Sequence, residues 1–274
     1  MTKIATIARN PINSPNMTVN DAAILQCITD ELVNRGAEVV SIGEDEEIPA
    51  DTQIVCTMSR TASTIERLKQ AQKQGAIVIN QPQAIENCSR RRFMEILRRN
   101  GIPQPPFKIM NDATGIDESL FPCWIKKADG WSCHKDDVSY SQTTKEATAT
   151  IEEMASRGIT AYIQMQHCPG DIIKFYGIGN GFFHYCYPGN GKFGKEQING
   201  LPEYYGFDCT ELKSIAQRAA QAIGLHIYGG DAIVTPQGDI FIIDINDFPS
   251  FTAIRDTATV EIATLIMNKT KIAL

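Results

Sequence analysis

Two short apolar runs near the end of the chain, Gly230-Asp-Ala-Ile-Val234 and Phe241-Ile-Ile-Asp-Ile-Asn246, restrict its fold more than any other feature. Their length, their content of Ile and Val and the intervening turn Pro236-Gln-Gly-Asp239 predict two neighbouring β-strands. Alternate strand residues share a face, so Asp244 and Asn246 point the same way, while Asp231 opens the preceding strand. Polar groups set into such apolar runs are costly unless something compensates them. Three hard oxygen donors suit a magnesium ion held against the phosphates of a nucleotide. The competing reading makes the same residues turn formers at strand ends.

The first eighty residues alternate regularly. Apolar runs at 3–8, 37–42, 53–58 and 76–79 are separated by amphipathic stretches at 19–35 and 64–74, with Gly36 and Gly75 at the helix ends. Strand and helix in alternation predict a small parallel α/β domain, residues 1–82. Its first strand is not followed by G-x-G-x-x-G, so a dinucleotide domain is not expected. Asn80-Gln-Pro82 punctuates the chain, and a helix over 89–99 then ends at Asn100-Gly101. Beyond it the pattern predicts strands at 107–110, 123–127, 138–141, 160–166, 171–178 and 182–187, with a helix at 145–157. A long loop occupies 188–206, and helices follow at 210–223 and 256–268.

A net charge of −6 and a pI near 5.3 provide no basic field for nucleic acid. The apolar stretch at the N-terminus is too short for a signal core or a membrane span. Eight scattered cysteines without a C-x-x-C pair are expected to be reduced thiols, which fits a cytoplasmic location. Any polyphosphate site must therefore be assembled from local cations.

From Asn80 onward the chain resembles the ATP-grasp superfamily, especially the ribosomal-protein glutamate ligases and inositol polyphosphate kinases of that fold. The resemblance rests on Asn80-Gln-Pro-Gln-Ala-Ile85 with Gly101-Ile-Pro103, on Pro122-Cys-Trp-Ile-Lys126, and on D-I-N-D-F-P-S-F at 244 to 251. It implies an α/β (α+β) ATP-grasp fold, in which the small parallel domain precedes two α+β lobes that enclose a nucleotide cleft, 83–165 the smaller lobe with a lid and 166–274 the larger lobe with the metal site. ATP and Mg2+ are the implied cofactors, with Asp231, Asp244 and Asn246 on the metal. Lys126 and Arg90 match the phosphate-binding positions, although a strand-end lysine and a solvated Arg90-Arg-Arg92 helix face are the plainer readings. Gln164, Met165 and Gln166 fall at the adenine hinge, and Asp171 is a candidate for the ribose hydroxyls. His167 is a hinge residue or a base. Lys174 matches the strand-borne cation that stabilises the transferring phosphoryl group, and Arg255 is a candidate for a substrate carboxylate or phosphate. The segment Asp129-Gly-Trp-Ser-Cys-His-Lys-Asp-Asp137 departs from the family's glycine-rich lid. Ser132, His134 and Lys135 are the expected substitute donors, and Lys192 and Lys195 candidate substrate contacts or solvated loop lysines.

The resemblance implies a carboxylate-amine ligase that forms an acyl phosphate on a small acidic substrate, with an amino acid or peptide among the candidate partners. A kinase that phosphorylates a hydroxyl, and an inactive nucleotide-binding regulator, remain open alternatives. The scarcity of basic residues in the N-terminal part argues against a highly phosphorylated substrate. A homodimer is allowed, though no residue specifies it.

Overall fold

The computed structural model describes residues 2–14, 16–131, 133–188 and 198–270. Strands β1 (Lys3–Ile7), β2 (Glu38–Ile42), β3 (Ile54–Thr57) and β4 (Ile77–Ile79) form a parallel sheet in the order β2-β1-β3-β4. Helix α1 (Thr18–Asn34) connects β1 to β2, and Ile24, Ile28 and Leu32, four apart on one face, are fully buried. Helix α2 (Ala62–Lys73) returns the chain from β3 to β4. Apart from shifts of one or two residues at element ends, this is the alternation that the sequence predicts.

The sequence pattern missed α3 (Pro82–Asn87), which begins with a proline at its first turn. Proline is tolerated there because that position's N–H has no helical partner, and six residues are too few to show a period. Helix α4 (Arg90–Arg99) follows and buries Phe93, Met94 and Leu97. A second, antiparallel sheet has the order β5-β8-β6-β7, from β5 (Phe107–Met110), β6 (Cys123–Lys127), β7 (Val138–Ser141) and β8 (Tyr162–Gln166). Helix α5 (Thr144–Ser156) lies against the face that carries Cys123, Ile125 and Tyr162.

The third sheet, also antiparallel, runs β10-β9-β11-β12 through β9 (Asp171–Ile178), β10 (Phe182–Cys186), β11 (Ile227–Val234) and β12 (Ile240–Asp247). One face, with Ile173, Phe175, Tyr228, Ala232, Ile242 and Ile245, packs against helix α6 (Cys209–Ile223) in a core that also takes in α4. The other face is left to form a cleft wall. Helix α7 (Arg255–Thr270) closes the described chain and packs on α1, so that one apolar cluster joins the parallel sheet to the third sheet through Ile178, Ile227, Phe248 and Phe251. All eight cysteines are free. No helix among the described residues is long and apolar enough to cross a membrane.

Asn80 stitches the parallel sheet to the third sheet. Its buried side chain donates to the carbonyl of Ile227 at 2.7 Å and accepts from the amides of His226 and Ile227 at 2.8 and 2.9 Å. Truncating it leaves three backbone groups in a dry junction without partners, which costs far more than a bond exchanged with water. Asn80→Ala should therefore lose about 3 kcal/mol, seen as a melting temperature lower by roughly 8 °C; an unchanged melting curve would show that water replaces the amide.

Candidate functional site

Cross-strand register brings the strand-borne polar residues together. Asp231 on β11 faces Lys174 on β9 and Asp244 on β12, and Gly229 faces Asn246. The ammonium of Lys174 lies 3.0 Å from the Asp231 carboxylate, and the amide nitrogen of Asn246 lies 3.3 Å from that of Asp244. Residues opposite one another on adjacent strands share a face, so all four belong to the cleft side, away from α6. Gly230 permits this close register, since a Cβ there would collide with the carbonyl oxygen of Asp244 and the ring of Phe175. A bulge between Asp231 and Ala232 shifts the pairing, so that Ala232 lies opposite Ile242. Such bulges re-aim side chains; here Ile243 turns into an apolar pocket while Asp244 keeps facing the cleft.

That apolar pocket lies between the second and third sheets, walled by Trp124, Lys126, Met165, Ile233 and Ile243. Lys126 is buried, with its ammonium 3.2 Å from the Met165 sulfur. Gln166 lines the pocket from the end of β8, and Asn199 from the far side, where its amide nitrogen donates to the carbonyls of Cys168 and Gly170. Apolar walls with a few polar groups at one end fit a flat heteroaromatic base. His167 accepts from the Trp124 indole at 3.2 Å, and burial holds its imidazole below the ordinary value. That bond fixes the imidazole of His167 against Trp124. Burial, with Lys269 adding to it, lowers His226 in the same direction. An imidazole lowered in the folded state takes its proton first when unfolded, so stability is complete above pH ~6.5 and declines as pH falls below it. Melting between pH ~7.5 and ~5.5 should show this decline, and His167→Gln should flatten part of it; a flat wild-type profile would remove the effect.

Three expected site residues lie elsewhere. Gln164 is fully buried on the α5 face of its sheet, where its amide accepts from the backbone N–H of Asp117 and donates to that residue's carbonyl. Strand alternation puts it opposite Met165, so its side chain cannot meet a base beside Lys126. Asp171 accepts from the amides of Glu203 and Tyr205, both at 2.8 Å, and so straps a loop instead of meeting a ribose. Arg255 opens α7 and reaches Asn20 on α1 at 2.9 Å, because α7 packs there; the cleft wall ends at Ala253. In the lid, His134 is half exposed and caps its own turn by accepting from the amide of Asp136. Lys135 is exposed, while Ser132, Lys192 and Lys195 lie outside the described residues. The lid is anchored at Asp137. Burial opposes the charge of that carboxyl, but Arg157 at 2.6 Å and the amides of His134 and Cys133 outweigh it and hold it below its ordinary value.

Two guanidiniums that the sequence did not single out line the same cleft. Arg9 follows β1 and Arg60 follows β3, at the carboxyl ends of parallel strands, where ligands of open α/β sheets bind. Arg9 is held by Asp21 at 3.1 Å and by the carbonyls of Met58, Asp247 and Phe248. Burial and the neighbouring Arg60 bring it down to about 10, against the pull of Asp247 and Asp21, so it stays cationic at neutral pH. Arg60 pairs with Asp247 at 2.7 Å and lies 5.4 Å over the Trp131 ring. Arg90, expected on a solvated face or at the phosphates, is half-buried. It donates to the carbonyl of Lys127 at 2.9 Å and shares a pocket with Arg60, Asp244 and Asn246. Phe248 and Phe251, buried with φ of 42° and 48°, hold the Pro249–Ala253 wall in a conformation that non-glycine residues adopt at a cost of about 1 kcal/mol each.

Two carboxylates and an amide oxygen on one face are the donors a magnesium ion takes. No group of three or more His, Cys, Asp or Glu side chains is gathered for a metal among the described residues. The set fits an ion that also takes oxygens from phosphate, better than it fits a closed structural site.

A parallel sheet followed by two antiparallel sheets, with an apolar pocket between them and strand-borne oxygens beside it, defines an ATP-grasp fold. The chain superposes on the ATP-grasp RimK domain protein of Sphaerobacter thermophilus with a TM-score of 0.71 and 16% identity, covering 97% of this chain and all of that one. It superposes on the ATP-grasp ligase PsnB, complexed with minimal precursor, Mg and ADP, with a TM-score of 0.67 and 17% identity over 98% and 97% of the two chains. In sequence it is 27% identical over 179 residues to a D-alanine–D-alanine ligase of Oleidesulfovibrio alaskensis, a match that spans 58% of this chain and 56% of the relative. No family model matches the chain.

Proposed function

We propose that the protein is an ATP-dependent, ADP-forming carboxylate-amine ligase acting on a small acidic substrate. The reading is supported above all by the cleft face on which Asp231, Asp244, Asn246 and Lys174 meet, with Arg60 and Arg90 across the same pocket. The similar ligases named above support the reaction class. The base of ATP would lie among Trp124, Met165, Ile233 and Ile243, with Lys126 toward the phosphates. Asp231, Asp244 and Asn246 would hold Mg2+, which supplies charge neutralisation to the β- and γ-phosphates.

The cations of the cleft divide the remaining work. Arg60 and Arg9, on the parallel sheet, offer the positive field that an acidic substrate requires, and Lys174 faces the transferring phosphoryl group. A substrate carboxylate oxygen attacks the γ-phosphorus, and the bond to the β-phosphate oxygen breaks to release ADP. The amine then attacks the acyl carbon, phosphate departs with the C–O bond, and the amine loses its proton. In this reading residues 1–82 hold the acidic substrate and 83–274 the nucleotide. Free thiols throughout accord with a cytoplasmic enzyme, and a homodimer is compatible with the fold.

Incubation with ATP, Mg2+ and pooled amino acids, peptides, dicarboxylates and polyols tests the proposal. ADP release should require an acid and an amine together, and label from an 18O-carboxylate should appear in inorganic phosphate. A product one phosphoryl group heavier than a polyol would make the protein a kinase. Nucleotide binding without turnover in any pool would make it a regulator.

A further inference from the structure

The cleft face of the third sheet changes character one step along its strands. Lys174, Asp231 and Asp244 lie opposite one another in a polar row. Two residues further along, on the same face, the next row holds Tyr176 and Gly229 beside Asn246. Gly229 leaves room for Pro249 to rest on the sheet, since a Cβ there would lie 2.8 Å from the proline ring and 3.2 Å from that of Tyr176. Phe251 packs on the Tyr176 ring with 5.5 Å between centroids. Met17, just before α1, and Tyr187, just after β10, extend this apolar wall of the cleft.

The cations of the cleft are not equally available. In Arg9, Nε and both terminal nitrogens donate to Asp21 or to the carbonyls of Met58, Asp247 and Phe248. In Arg60, Nε and Nη2 are held by Asp247, while Nη1 donates no hydrogen bond to the described residues. Arg60 is only 8% exposed, and it lines the cleft on the side of Asp244 and Asn246. A buried guanidinium with one free nitrogen is suited to a single anionic group. We infer that the acid taken by this cleft is a monocarboxylate on an apolar body: Arg60 Nη1 receives its carboxylate beside the polar row, and Tyr176, Pro249 and Met17 cover the rest. The inference rests on the ligase reading and narrows its acidic substrate. A dicarboxylate would leave its second charge against the aromatic wall, and Lys174 is already paired with Asp231 at 3.0 Å. An unpaired charge taken from water is costly.

Hydroxylamine captures an acyl phosphate as the hydroxamate, with loss of phosphate, and so lets acids be compared with one amine. With ATP and Mg2+, phenylalanine, leucine and phenylpropionate should each give hydroxamate with a kcat/KM at least about tenfold above that of glutamate, aspartate or succinate, as suits the burial of one apolar side chain. Tyr176→Ala should raise KM for phenylalanine by about tenfold with a smaller change in kcat. Because Tyr176 also supports Phe251, Met17→Ser on the opposite part of the wall is a second variant, and it should raise the same KM by about threefold. A preference for glutamate or succinate, equal kcat/KM for the two sets of acids, or an unchanged KM in both variants overturns the inference and leaves the ligase reading standing. Hydroxamate from none of the acids refutes the ligase reading and the inference with it.

Discussion

Asp244→Asn will reduce ADP release by at least about a hundredfold while leaving the melting temperature close to that of the unaltered protein. The substitution is isosteric, so the register of β12 against β11 and the packing of Ile242 and Ile245 on α6 are preserved. What disappears is one of the two carboxylates that face the cleft. Lys174 already occupies part of the charge of Asp231 at 3.0 Å, which leaves Asp244 as the larger share of negative charge available to a divalent ion. Asparagine still offers an oxygen, but a neutral one, and the proposed Mg2+ would be left with Asp231 as its single cleft carboxylate. Steady-state ADP release at saturating Mg2+, beside a thermal melt, distinguishes this from unfolding. Near-normal turnover in Asp244→Asn would remove the strand-borne oxygens from the chemistry and with them the main support for the proposed reaction.

The legible part of this molecule is the part governed by local period. Runs such as Ile54–Thr57 and Asp171–Ile178 are strands because their composition and spacing leave no other use for them, and Asp244 and Asn246 share a face because a strand alternates. The same rule turns Gln164 away from the base pocket, where the resemblance had implied it. It stands one residue from Met165, and two neighbouring strand residues cannot both face the base pocket. Arg9 and Arg60 show the opposite limit. Each lies just after a predicted parallel strand, a position that could have been read as facing the ligand crevice, yet a guanidinium's partner depends on what packs over it. Those partners, Asp21 and Asp247, come from α1 and from the end of β12, one of them nearly two hundred residues from Arg60 in sequence. Arg255 shows a related limit: its closeness in sequence to Asp244 and Asn246 says nothing about the packing of α7 against α1, and that packing turns it to Asn20.

Asp247→Ala should be the most damaging substitution to stability, because it breaks a buried charge network at the seam between the parallel sheet and the third sheet. The Asp247 carboxylate is 1% exposed and receives Arg60 at 2.7 and 2.8 Å, with Arg9 at 3.8 Å. Arg9 is in turn paired with Asp21, which accepts from Ser250 at 2.6 Å. Removing the central carboxylate leaves two guanidiniums facing each other out of water, with Asp21 alone to offset them. Their mutual repulsion already helps to lower Arg9 in the intact protein. Losing one partner of a buried pair costs about 3–5 kcal/mol, since the remaining charge keeps its desolvation penalty, and a loss of that size lowers the melting temperature by roughly 12 °C in a chain of this length. The double variant Asp247→Leu/Arg60→Met should recover most of the stability, because replacing both members of a buried pair with apolar groups removes the penalty together with the attraction. It should not recover turnover, since Arg60 also faces the cleft. A single variant that melts like the parent would mean that water reaches the seam and screens these charges. The positive wall proposed for an acidic substrate would then be only as strong as an exposed surface patch.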